Sequence, residues 1–132
     1  MMFIDANIFI LAALGQTDRA VRCRRFLERV ERAEQPAMTS VLVLAEVLKV
    51  LNRRLKSRPE SASFVQHLMA SPNLKVCGIE RLEFEESIFF FSQGLNPNDS
   101  LHAATMRAHG LSEVLSFDVD FERIEGIRRV EP

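Results

Sequence analysis

Apolar and polar positions along this chain follow two periods, and the switches between them mark its elements. Met2–Asp5 is a short apolar run that predicts a strand, and Ala6–Leu14 predicts a short helix ending near Gly15. In Asp18–Ala33 the apolar residues Ala20, Cys23, Phe26, Leu27 and Val30 recur at the spacing of one helix face. Ala37–Thr39 reads as a strand after Pro36, and Val41–Leu55 as a strongly apolar helix. Ser57, Arg58 and Pro59 are start signals for a helix over Glu60–Ala70. A strand at Leu74–Ile79 leads to helices over Arg81–Ser92 and Asn98–His109, the latter closed by Gly110. Glu113–Phe117 is a strand, Asp118–Ile124 a turn or one helical turn, and Ile127–Val130 a last strand. On the Arg81–Ser92 helix, Phe84, Ile88 and Phe91 share a face and are assigned to the core. Phe89 and Phe90 then point elsewhere, to a second side of the core or to an apolar patch for a partner.

Short strands separated by helices imply βαβ units: an α/β fold with a parallel sheet and helices on both faces. The 132 residues suit one domain spanning 1–132. In such sheets ligands bind beyond the carboxyl ends of the strands. Asp5 stands at such an end.

Composition narrows the function classes only a little. The chain is 47% hydrophobic and 27% charged, as in an ordinary globular protein. Cys23 and Cys77 make no zinc pattern and no CxxC, so both are read as reduced and structural. The start of the chain lacks the form of a signal peptide, because Asp5 breaks its apolar run. The longest apolar stretch, Val41–Val50, is too short and too interrupted by Glu46 and Lys49 to cross a bilayer. A cytoplasmic location with no membrane partner is expected. The formal net charge of −1 does not announce nucleic-acid binding. Arg22, Arg25, Arg29 and Arg32 recur at helical spacing behind Arg19, but Glu28, Glu31 and Glu34 are interleaved, so a solvated, self-paired face is expected there. Arg53, Arg54, Lys56 and Arg58 have fewer acidic neighbours and are the preferred path for a phosphate backbone.

Four carboxylates occupy positions that composition does not explain. Asp5 ends the first strand, Glu46 interrupts "VLVLAEVLKVL", Asp99 opens a helix in "NPNDSLHAATMRA", and Asp118 follows a late strand in "VLSFDVDF" with Asp120 behind it. Each has a local explanation. Asp5 and Asp118 suit caps or turns, Asp99 suits a helix's first turn, and Glu46 could pair with Lys49 in a narrow polar strip. Together they point elsewhere. Two carboxylates at the ends of parallel strands lie on one sheet edge, and the other two can reach it. Like charges gathered there resist ionisation unless a cation joins them. Oxygen ligands without His or Cys suit Mg²⁺ or Mn²⁺, ions that serve phosphate chemistry. His102 shares the Asp99 helix and is read as an ordinary core or surface histidine, and His67 and His109 offer less.

"FIDANIFI", "TSVLVLAEVL", "NPNDSLHAATMRAHG" and "VLSFDVDFERIEGIRRVEP", in this order and at this length, resemble the PIN-domain ribonucleases, and among them the VapC-type toxins of toxin–antitoxin pairs. The resemblance covers essentially the whole chain. It implies a three-layer α/β/α sandwich on a parallel sheet of order 3-2-1-4-5, which sets the strands ending in Asp5 and Asp118 side by side. It implies a Mg²⁺ or Mn²⁺ site at Asp5, Glu46, Asp99 and Asp118, with Asp120 as a further acid. Asn7 would orient Asp5, and the hydroxyl of Thr39 or Ser40 would lie near the metal. The implied reaction is endonucleolytic hydrolysis of RNA that leaves a 5′-phosphate and a 3′-hydroxyl. The implied partners are an antitoxin protein and a second copy of the chain. One position departs from the family pattern. Val43 stands one helical turn before Glu46, where a Ser or Thr is frequent.

Rival readings fit less well. A phosphoacceptor receiver domain needs a lysine at a late strand end, yet the last lysine is Lys75. A haloacid-dehalogenase-like phosphatase needs an aspartate where Asn7 stands. A non-catalytic PIN scaffold or a housekeeping RNA-processing nuclease is an open alternative on the residues alone.

Overall fold

Residues Met1–Pro132 are described by a computed structural model. Five strands form one parallel sheet: β1 (Met2–Ile4), β2 (Ala37–Ser40), β3 (Leu74–Cys77), β4 (Glu113–Leu115) and β5 (Arg128–Val130), in the order β3-β2-β1-β4-β5. This is the expected 3-2-1-4-5 arrangement. Six helices connect the strands: α1 (Ala6–Leu14), α2 (Asp18–Glu31), α3 (Val41–Leu55), α4 (Arg58–Ala70), α5 (Arg81–Ser92) and α6 (Pro97–Ala108). A five-residue 3₁₀ turn, Val119–Arg123, stands between β4 and β5. None of the helices is long and apolar enough to cross a membrane.

The helices start where the chain supplies a cap. Asp5, Thr17, Ser40, Ser57 and Asn96 each accept a backbone N–H of the helix they precede. Pro59 and Pro97 lie in first turns, where a missing N–H costs nothing. Gly110 (φ +66°) follows α6 in the left-handed region that favours glycine.

The core fills the space between sheet and helices. Phe3, Ile4, Ile8, Phe9, Val43, Val47, Leu51, Ala103, Met106, Leu115 and Phe121 are among its fully enclosed side chains. Cys23 and Cys77 are buried free thiols, and burial pushes both thiols up in pKa, which suits structural residues.

The α5 helix corrects one expectation. Phe84, Ile88 and Phe91, assigned to the core, are more than half exposed, as are Leu82 and Phe89. Phe90 is buried, and it shares the inward face with Glu83 and Ser87. That face is the one α5 turns toward the protein, and its small or self-bonded polar groups hide it from a hydrophobic count. Ser87 returns its hydroxyl proton to the Phe84 carbonyl at 2.6 Å, and Glu83 closes a capping box with Glu80.

Candidate active site

The carboxyl ends of β1 and β4 are neighbours, and the chain leaves them as two turns that hold each other. Asp5 follows β1 directly. Its Oδ1 accepts the Ala6 N–H at 2.7 Å, and its Oδ2 accepts the Ser116 hydroxyl at 2.6 Å and the Asn7 amide at 3.0 Å. Asn7 also donates to the Ser116 oxygen at 3.0 Å and accepts the Phe117 N–H at 3.4 Å. Ser116 in turn accepts the Asp118 N–H at 3.0 Å, and Asp118 accepts the Asp120 N–H at 2.9 Å to cap the 3₁₀ turn. Each aspartate therefore does the local capping work that its position suggested, and still presents carboxylate oxygen to the shared edge.

Helices bring in the remaining acids. Glu46, midway along α3, does not pair with Lys49. Its two oxygens meet the Asn98 amide at 2.5 Å and His102 Nε2 at 3.2 Å. A carboxylate only accepts, so Nε2 carries a proton toward it. Asp99 lies in the first turn of α6. Asn96 caps that turn through Asp99 N–H at 2.9 Å and donates its amide to Asp99 Oδ2 at 2.7 Å.

Ligand-capable atoms of Asp5, Glu46 and His102 lie within 4.8 Å of one another, and so do those of Asp99, Asp118 and Asp120. The two sets are coupled through charge. Burial pushes Asp5 above the usual carboxylate range, against the lowering pull of His102 and Ser116. Asp99 is pushed up to about 6, by burial first and then by the charges of Asp118 and Asp5. Burial alone would lower His102, but its bond to Glu46 and the charges of Asp5, Glu46 and Asp99 outweigh this and raise it. His102 is 1% exposed, and its Nδ1 has no partner, an arrangement that costs stability.

Six carboxylate-bearing or imidazole side chains thus converge from β1, α3, α6 and the turn after β4. Carboxylates gathered so closely, and reluctant to ionise on their own, could hold a divalent cation. All five expected acids lie in this convergence, and Asn7 contacts Asp5 as expected. Thr39 and Ser40 spend their hydroxyls on the fold. Thr39 donates to the Ile4 carbonyl at 2.9 Å, tying β2 to the end of β1, and Ser40 caps α3. Arg53, Arg54, Lys56 and Arg58 lie elsewhere. Arg53 stands seven residues beyond Glu46, about 10 Å further along α3.

Ser116 and His102 are the members that the residues alone did not reveal. A hydroxyl two positions before Asp118 was an available signal for Ser116. For His102 the signal was its place three residues after Asp99, one turn along the same helix.

An open parallel sheet of this order carries its acids at the central carboxyl edge, where α/β folds bind ligands. The PIN domain family model matches residues 2–127, and the chain belongs to that family. Ribonuclease VapC2 of Methanocaldococcus jannaschii is 26% identical over 144 residues, covering 98% of this chain and 93% of that protein. Ribonuclease VapC13 of Mycobacterium tuberculosis is 25% identical, covering 98% and 99%. Among solved structures, the sarcin-ricin loop cleaving toxin VapC20 of Mycobacterium tuberculosis superimposes with a TM-score of 0.82 at 23% identity over the full length of both chains. VapBC2 of Rickettsia felis, bound to a DNA fragment from its promoter, superimposes at 0.73 with 18% identity, covering 99% and 98%.

Proposed function

We propose that this chain is a VapC-like PIN ribonuclease, a metal-dependent endonuclease acting on RNA as the toxin of a toxin–antitoxin pair in the cytoplasm. The observation that carries the reading is the gathering of Asp5, Glu46, Asp99, Asp118 and Asp120 at one sheet edge, inside a chain that belongs to the PIN family along nearly its whole length. Asp5, Glu46, Asp99 and Asp118 are the catalytic and metal-holding residues in this reading, with Asp120 as a further acid. Mg²⁺ or Mn²⁺ bound there would neutralise the phosphate's charge and lower the pKa of the attacking water.

The protein's own groups do the rest. Ser116 and Asn7 orient Asp5. Asn96 orients Asp99. Asn98 and His102 hold the two oxygens of Glu46, and so replace the hydroxyl that Val43 does not supply. Partners of this kind are worth about 10–100-fold in metal affinity or activity. His102→Leu is therefore expected to weaken Mn²⁺ binding by about that factor, and His102→Gln, which keeps an N–H donor, by less. Calorimetric titration of both variants decides it. Equal affinity in wild type and His102→Leu would remove the orienting role.

The direct test of function is cleavage of RNA by the purified chain in Mg²⁺ or Mn²⁺ and in EDTA. Arg53, Arg54, Lys56 and Arg58 would contact RNA away from the reacting phosphate.

The antitoxin partner is supported by relatives whose structures are toxin–antitoxin complexes, among them one from Klebsiella pneumoniae. A homodimer is supported by the α5 helix, which leaves Phe84, Ile88 and Phe91 exposed on one flank and Leu82 and Phe89 exposed on another. Phe84→Asp is expected to turn a dimer into a monomer in analytical ultracentrifugation, with little change in the fold. A monomeric wild type would reject that assembly.

A further inference from the structure

The α2 arginines do not behave as a self-paired face. None of them forms an ion pair, and Glu31 meets His67 instead. Arg24 is spent on the carbonyls of Ala12 and Gly15, at 3.2 and 2.8 Å. Arg22 donates to the Pro132 carbonyl at 3.0 Å. Pro132 lies just beyond the carboxyl end of β5. This bond sets the first turns of α2 at the same sheet edge as the acids.

Arg19 goes further. Its guanidinium carbon lies 4.9 Å from the centroid of the Phe117 ring. Phe117 stands between Ser116 and Asp118, and its N–H bonds Asn7, which bonds Asp5. The ring is half-buried and the arginine exposed. The nearby Glu131 is bonded to Arg129 at 2.8 Å. Arg19 is thus a cation held on an aromatic shelf beside a carboxylate cluster, with none of those carboxylates as its partner.

An acidic edge repels a phosphodiester chain. A cation bound among the acids would answer the charge of the reacting phosphate, and the neighbouring phosphate needs a positive group of its own. A guanidinium offers a planar fork of donors for it, and stacking on a ring limits the side-chain freedom lost on binding. The positive end of α2 adds to the field there.

From this placement we infer that Arg19, on its Phe117 shelf, is a backbone-binding residue that grips the RNA phosphate next to the one cleaved. The inference rests on the ribonuclease reading and names a substrate contact for that site. Arg19 is a binding residue and takes no proton in the reaction.

The test is fluorescence anisotropy of a labelled single-stranded oligoribonucleotide in EDTA across a salt series, with cleavage kinetics in Mg²⁺ alongside. One phosphate contact to a single strand changes the slope of log K against log salt by about 0.7, or about fivefold in affinity near 0.1 M salt. Arg19→Ala is expected to lose that slope and that factor, and to raise KM while kcat stays within about twofold. Arg19→Lys should keep the slope and part of the affinity, and Phe117→Leu should lose part of the affinity with Arg19 in place. Unchanged affinity and slope in Arg19→Ala would overturn this inference while wild-type cleavage left the ribonuclease reading standing. A wild type that neither binds nor cleaves RNA would remove both.

Discussion

Asp5→Asn should lower metal-dependent RNA cleavage by at least about 10³-fold while leaving the fold intact. A cation's stabilisation of a reacting phosphate is worth several kcal/mol, and each 1.36 kcal/mol is a factor of about ten. Asp5 is the most buried of the acids and the one around which the two strand-end turns are bonded. Asparagine preserves its shape and its acceptor for the Ala6 N–H, but removes the charge. At Oδ2 the change sets an amide where the Ser116 hydroxyl and the Asn7 amide now donate. The Ser116 oxygen already accepts from Asn7 and from the Asp118 N–H, so both contacts at Oδ2 are lost. Against that loss stands relief: a buried carboxylate among other acids is unfavourable in the metal-free protein. The thermal midpoint in EDTA should therefore change little or rise. Cleavage surviving in Asp5→Asn would place the chemistry elsewhere or in a contaminant, and a collapse of the midpoint would make Asp5 primarily structural.

The alternation of strands and helices was within reach of sequence reasoning, because apolar spacing such as that of Asp18–Ala33 marks a helix; the strand order came from the resemblance to PIN-domain proteins. Four strands came out shorter than expected, since β1 ends at Ile4, β3 at Cys77 and β4 at Leu115, and β5 begins at Arg128; for β1 and β4 the site gives the physical reason. The Asp5 N–H still reaches the Leu115 carbonyl of β4, but its carboxylate turns to Ser116 and Asn7, and the Phe117 N–H goes to the Asn7 side chain instead of a strand, so apolar character outlasts the ladder. The α5 helix was misread because three consecutive phenylalanines offer a hydrophobic reading on any face. Only packing against α6 shows that Phe90, with Ser87 and Glu83, faces in. The acids could be picked out because carboxylates interrupt apolar runs. The groups that orient them are Ser, Asn and His residues of common type, and the partners lie 56 positions apart for His102 and Glu46 and 111 for Ser116 and Asp5. No local pattern carries a contact of that range. The α2 arginines failed in the opposite direction. Interleaved acids suggested pairs, but Arg22 and Arg24 found backbone carbonyls and Arg19 found a ring.

The same crowding of charge predicts a pH-dependent response to metal. Asp99 moves from 3.8 to about 6 on folding, chiefly through burial and then through Asp118 and Asp5. Asp5 moves in the same direction. Between those values the folded protein holds protons that the unfolded chain has released, so stability falls as pH rises. Their stabilising contribution is complete below the unfolded value near 4 and is lost as pH passes the folded value near 6. The metal-free protein should thus weaken between about pH 4 and 6.5. A divalent cation needs these carboxylates ionised, so its stabilisation should grow across the same window. Ligand at a hundredfold excess over Kd adds about 2.7 kcal/mol, which for a chain of this size raises the midpoint by about 10 °C. Mg²⁺ or Mn²⁺ is expected to give a rise of that order at pH 7.5 and a small one at pH 5. Asp99→Asn should flatten both curves, because it removes the titrating group and a ligand together. Thermal melts of wild type and Asp99→Asn across pH, in EDTA and in metal, make the comparison. A metal response equal at pH 5 and pH 7.5 would mean that the cation binds away from Asp99. A metal-free stability that climbs from pH 4 to 6.5 would mean that other groups, ionised more readily in the folded chain, outweigh the acidic edge.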